Sequence, residues 1–104
     1  MSALIEATLD GAVARITLNR PEQGNAIDQA LADRLLELAH WCDSEKAVRA
    51  ILITANGKMF CAGGDVSAFA AAGSALPTFV RNLTASLHMA IARFAALPKP
   101  VVVA

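Results

Sequence analysis

The stretch of this chain best suited to chemistry is Lys58-Met59-Phe60-Cys61-Ala62-Gly63-Gly64-Asp65. It follows an apolar run, Ala50-Ile51-Leu52-Ile53-Thr54, that reads as a buried strand, and it precedes an alanine-rich segment that reads as a helix. Two adjacent glycines at a strand-to-helix junction allow a tight turn and a close approach of a ligand to the main chain. The first free N–H groups of the following helix then face that space, where they suit an anion or a developing oxyanion. The chemistry implied is done by the backbone, because side chains of catalytic type are scarce nearby. Cys61 has no neighbouring histidine to act as its base, so it reads as a small buried apolar residue rather than as a nucleophile. Asp65 reads as the cap of the next helix rather than as a base. Taken alone, Gly63-Gly64 also fits an ordinary tight turn.

The elements that must position this turn are legible from pattern. Residues 4–8 and 12–18 read as strands joined by a turn at Asp10-Gly11. Val13, Ile16 and Leu18, interspersed with Arg15 and Thr17, predict one covered face. Residues 19–24 form a loop in which Pro21 biases Arg20 away from helical geometry. Asp28 is placed to cap a helix whose apolar positions, Leu31, Leu35, Leu38 and Ala39, recur at helical spacing up to Trp41. Residues 48–54 are the buried strand. Residues 66–72 predict a short helix and residues 76–96 a long one, with Pro77 in its first turn. Its stripe Phe79, Leu83, Leu87, Ile91 and Phe94 predicts core packing. Pro98-Lys99-Pro100 ends that helix, and Val101-Val102-Val103-Ala104 opens another strand. The order of elements predicts an α/β arrangement.

Composition narrows the function classes. The chain has 104 residues, 56% of them hydrophobic and 17% charged, with nine basic and nine acidic side chains and a formal net charge of zero. That balance gives no electrostatic footprint for nucleic acid or an acidic membrane surface. No apolar run reaches the length of a membrane span. Met1-Ser2-Ala3-Leu4-Ile5-Glu6 lacks the form of a signal peptide, and Cys42 and Cys61 make neither a CxxC pair nor a disulfide framework. The expectation is a reduced, cytoplasmic setting with no metal; His40 and His88 are single helix histidines. The apolar excess for this length, and a strand at the very end, predict the front part of something larger, poorly soluble or oligomeric on its own.

Three motifs in order carry a family resemblance: Asn19-Arg20-Pro21 with Asn25-Ala26-Ile27-Asp28, then Phe60-Cys61-Ala62-Gly63-Gly64-Asp65, then Lys99-Pro100-Val101-Val102-Val103-Ala104. Together they resemble the first part of the enoyl-CoA hydratase/isomerase (crotonase) superfamily. The resemblance implies an α/β fold, a crotonase-like spiral of ββα units, of which residues 1–104 are the N-terminal part of a single domain. It implies an acyl-CoA thioester substrate, with coenzyme A as part of that substrate and no tightly bound cofactor. Gly64 is then the backbone oxyanion-hole donor, a role that leaves the side chain at 64 free to vary. The resemblance further implies that the Ala62 carbonyl meets the adenine and that Gly24 and Ala26 line the pantetheine path. Lys58 faces a CoA phosphate, with Arg20 as another source of positive charge, and Asp65 and Val66 complete the substrate-side set. Ser67 and Gln23-Gly24 stand where many members have basic residues. The second oxyanion donor and the acid/base carboxylates have no match in this chain. The implied reaction is hydration or double-bond isomerisation by a homo-oligomeric parent, trimer or hexamer, with this chain inactive alone. The alternative is a non-catalytic acyl-CoA-binding or interaction fragment.

Overall fold

The computed structural model describes residues 4–104; the first three residues, part of the stretch inspected above for a leader, lie outside it. Strands β1 (Ile5–Asp10) and β2 (Val13–Leu18) form an antiparallel hairpin. A 3-10 turn (Pro21–Gln23) leads to helix α1 (Gln29–Ser44), strand β3 (Ala50–Ala55) and the short helix α2 (Val66–Ala72). A second 3-10 turn (Gly73–Ala75) joins α2 to the long helix α3 (Leu76–Ala96), and β4 (Val101–Val103) follows. The sheet order is β1-β2-β3-β4, with β3 parallel to β2 and β4 parallel to β3. Only the first unit is a true ββα; the second places two helices after one strand.

The hairpin turn sits one residue later than Asp10-Gly11 suggests. Asp10 pairs with Val13, so Gly11 and Ala12 make the turn, and Gly11 takes a φ of 61° that favours glycine. That register decides which face of β2 is covered. Ala14, Ile16 and Leu18 are buried, whereas Val13 lies on the other face with Arg15 and Thr17. The small Ala14, not the larger Val13, is the core residue, because a strand's period of two counts positions and not size.

The core gathers Ile5, Ala14, Ile16, Leu18, Leu31, Leu38, Cys42, Val48 and Ile51 between the sheet and α1. Burial pushes the Cys42 thiol above its usual range, partly offset by the positive charge of Lys99. Helix α1 is fixed at both ends. Asp28 caps its N-terminus by accepting from the Leu31 N–H at 2.9 Å. At its C-terminus the Lys99 ammonium donates to the carbonyls of Cys42 and Glu45, which places a cation at the negative end of the helix dipole.

Helix α3 packs along α1 but buries less than its stripe predicts. Leu83 and Ala90 are buried, whereas Ile91 is 56% exposed and Phe79, Leu87 and Phe94 are only half-buried. Polar pairs stitch the two helices: Ser86 to Asp33 at 2.7 Å, Gln29 to Ser86 at 3.2 Å, and Arg93 to Asp43 at 3.2 Å. Of the buried strand expected over residues 48–54, Val48 and Ile51 are buried, and the other residues of β3 are half-buried. Among the described residues, no helix is long and apolar enough to cross a membrane.

Candidate functional site

Residues 61–65 leave β3 by way of an exposed loop and settle against the chain entering α1. The contact is a single parallel bridge between Ile27 and Gly64. Ile27 N–H donates to the Gly63 carbonyl at 2.7 Å, and Asp65 N–H donates to the Ile27 carbonyl at 2.9 Å. A third bond, from Ala62 N–H to the Gly24 carbonyl at 2.9 Å, extends the pairing by one step. In a parallel bridge the central residue turns its own N–H and C=O away from the partner strand. Gly64 is that residue. Among the described residues its N–H has no acceptor, and it is exposed.

The two glycines are required for different reasons. Gly63 has a φ of 105°, a conformation that L-residues rarely adopt, with open space where a Cβ would stand. Gly64 has no such φ, but a Cβ there would lie 2.6 Å from Cζ of Phe69. The Phe69 ring is itself held edge-on to Phe79 of α3, with centroids 5.8 Å apart. A Cβ at 64 would therefore require the Phe69 ring to shift.

Behind the turn lies a polar knot. Arg20 is 8% exposed, and Asn25 is fully buried with a φ of 55°. The Asn25 side chain accepts from the Arg20 backbone N–H at 2.7 Å. Its amide donates to the carbonyls of Asn56 at 2.8 Å and Met59 at 2.9 Å. It thereby ties the loop before α1 to the loop after β3. The Arg20 guanidinium donates to the Ala26 carbonyl and to Asp65 at 3.2 Å, and lies 3.6 Å from Asp28. Asp65 in turn caps α2 by accepting from Ala68 N–H at 3.2 Å. That backbone bond first, and then the Arg20 guanidinium, hold the Asp65 carboxyl below its ordinary range, against some opposing desolvation.

These contacts place each expected site residue. Gly64, Ala62, Val66 and Lys58 are exposed around the turn, and Val66 is 75% exposed. The Ala62 carbonyl accepts no bond among the described residues, and Lys58 makes no hydrogen bond or ion pair there. Gly24 is half-buried with a φ of 60°, against Ala62 and Met59. Ala26 is buried, and its carbonyl is engaged by Arg20. Asp65 faces inward as a cap. Arg20 is committed to two carboxylates and a carbonyl, so it does not reach outward toward a phosphate. Cys61 is half-buried and lines an apolar hollow of about 220 Å³ with Ile27, Phe60, Leu87, Ile91 and Phe94. Among the described residues, no cluster of His, Cys, Asp or Glu is arranged to hold a metal ion.

A four-stranded mixed sheet, helices on one side and an open backbone donor at a strand-to-helix turn define an α/β protein of the crotonase-fold type. A family model described as enoyl-CoA hydratase/isomerase matches residues 8–104. The chain belongs to that family. A trans-2-decenoyl-[acyl-carrier-protein] isomerase from Streptococcus mutans is 36% identical over 98 residues, 90% of this chain and 36% of the relative. A mevalonyl-coenzyme A hydratase from Beauveria bassiana is 44% identical over 64 residues, 59% of this chain and 23% of the relative. Among solved structures, an enoyl-CoA hydratase from Mycobacterium smegmatis superimposes with a TM-score of 0.89 at 31% identity, over 98% of this chain and 39% of that one. The chain thus spans well under half the length of these relatives.

Proposed function

We propose that this chain is the N-terminal, oxyanion-donating part of an enzyme that hydrates or isomerises an enoyl thioester carried on coenzyme A. The observation that carries the reading is the Gly64 N–H at an exposed residue, oriented by the Ile27 bridge and without an acceptor among the described residues. A thioester oxygen seated on it gains negative charge as an enolate forms, and a preoriented donor stabilises that charge more than the neutral carbonyl. Such a donor is worth roughly a hundred- to a thousand-fold in rate. The Ala62 carbonyl is free to accept from an adenine amino group, and the exposed Lys58 offers charge to a phosphate. Gly24 and Val66 border the approach.

The two carboxylates at the turn, Asp28 and Asp65, both cap helices and both face Arg20. Neither is available as the base. We therefore assign this chain binding and polarisation, with the second donor and the acid/base groups supplied by further residues of the domain. The same engagement favours the second reading, in which the 104 residues on their own bind a thioester without turning it over. The whole protein is proposed to be cytoplasmic and homo-oligomeric, a trimer or hexamer.

The test is an amide-to-ester replacement at the 63–64 linkage, made by chemical synthesis. It deletes the N–H while sparing the contact with Phe69, which a proline would disturb. With a ¹³C-carbonyl enoyl-CoA, the unmodified chain is expected to shift the thioester resonance downfield and the ester variant to abolish that shift. An identical shift in both, or none in either at saturating ligand, would overturn the assignment.

A further inference from the structure

We propose that Arg20 is a positioning residue for the Gly64 donor, acting through the two helix caps that its guanidinium joins. Asp28 begins α1 and Asp65 begins α2, and these residues flank the two strands of the Ile27–Gly64 bridge. One planar cation lies 3.6 Å from the first carboxylate and 3.2 Å from the second, while also bonding the Ala26 carbonyl, one residue before Ile27. The guanidinium therefore touches both sides of the bridge within a residue of the atoms that form it. Its own backbone is fixed in turn. The Arg20 N–H donates to the Asn25 side chain, and the Arg20 carbonyl accepts from the backbone N–H groups of Gln23 and Asn25. The result is a rigid post, anchored at its base by the loop and at its tip by two caps.

The donor needs such a post because the pairing that orients it is minimal. Among the described residues, 56–64 are tied down at Asn56 by the Leu18 carbonyl, at Asn56 and Met59 by the Asn25 amide, and at Ala62 by Gly24, but the bridge alone orients Gly64, and α2 is a short helix without a buried residue. A free loop would let the Gly64 N–H swing toward water, and preorganisation would be lost. A lysine cannot replace the arginine. Its single ammonium lacks the planar fork that serves two carboxylates and a carbonyl at once. Arg20 touches no ligand in this role, which is why its burial is compatible with function.

The inference rests on the reading of Gly64 as an oxyanion donor, but its first test does not use a thioester. Amide hydrogen exchange and ¹⁵N–¹H spectra would be recorded on the ligand-free chain for Arg20→Lys, Asp65→Asn and the double variant. In Arg20→Lys the Ile27 and Asp65 amides, the two donors of the bridge, are expected to exchange about tenfold faster, an effect of the size of one lost charge-assisted bond. The Gly64 resonance should move, while the β2–β3 amides keep their protection. In the Asp65→Asn background the same lysine substitution should add much less, since its route is already cut. Unchanged exchange at Ile27 and Asp65, or full additivity in the double variant, would overturn the proposal. Should Arg20→Lys fail to fold, Asp65→Asn decides alone: it must move the Gly64 resonance and loosen Ile27 without touching β2–β3. A second arm adds the ¹³C enoyl-CoA. A normal carbonyl shift on a loosened bridge would overturn the positioning role, whereas no binding by the parent chain would count against the thioester reading only.

Discussion

The two ends of this molecule satisfy their chemistry in opposite ways. Around the Gly63-Gly64 turn, the polar groups of Arg20, Asn25, Asp28 and Asp65 are bonded several times over within a small volume. Along α3 and β4, by contrast, Met89, Ile91, Val102 and Val103 are each more than half exposed. The first region is held by buried polar bonds that converge behind a minimally paired turn. The second is under-covered, so its contribution to stability depends on apolar area that water still reaches. The contrast teaches that a site built from the main chain is fixed by buried polar bonds, because those alone specify direction as well as proximity.

The strongest way to break this contrast is Asn25→Leu. It leaves the Arg20 N–H and the Asn56 and Met59 carbonyls without their partner, in a residue that is fully buried. The expected loss is about 3 kcal/mol or more, read as a lowered midpoint in urea denaturation. Next comes Gly63→Ala, which forces a side chain into a φ of 105°. It should cost about 1–3 kcal/mol, with the disturbance confined to amides of residues 60–66 in the spectrum. A loss spread evenly over the sheet would contradict the local account.

A smaller effect tests the electrostatics. The Asp65 carboxyl is held below its ordinary value of 3.8. The stability it contributes is complete above that unfolded-state value and disappears as pH falls through the lower folded-state one. Asp65→Asn should therefore lower the melting temperature at neutral pH, and the gap to the parent should narrow as pH drops below 3.8. A gap that does not vary with pH would contradict the lowered carboxyl, since the Ala68 bond and the Arg20 guanidinium both favour its charged form. The smallest change is expected on the other region. Ile91→Gln with Val103→Thr should alter stability by less than about 0.5 kcal/mol while reducing self-association in sedimentation. Undiminished association would show that this face is not what makes the chain stick.

What the sequence reveals about these regions follows from which interactions are local. Helices 66–72 and 76–96 are readable in full because the Asp65 cap of the first, and the prolines and periodicity of the second, are written in neighbouring residues. The glycine turn is readable for the same reason. The role of Arg20 is not, because an arginine between a strand and a proline looks solvent-bound until Asp28 and Asp65 are brought to it by the fold. Asparagine at 25 gives a faint signal, since it is among the non-glycine residues that adopt positive φ most readily, yet its partners at 56 and 59 are more than thirty residues away in sequence. The contact of Phe69 with Gly64 is local but depends on how α2 leans on α3, which periodicity does not encode. The stripe of α3 misleads in the other direction: spacing shows that a face is apolar, not that something covers it.

Asn25 has one more consequence, which concerns how the protein ages. Asparagine side chains slowly hydrolyse to aspartate when the following backbone nitrogen attacks the side-chain amide. Here that nitrogen, on Ala26, donates to the Gln23 carbonyl at 3.1 Å, and the amide is held by two carbonyls, so the attacking geometry is denied while the chain stays folded. Once unfolded, the residue is unprotected. The aspartate that forms would set a carboxylate against the Asn56 and Met59 carbonyls, and the chain would no longer close on its own loop. Deamidation at this position is thus a record of time spent unfolded, and a one-way exit from the folded population.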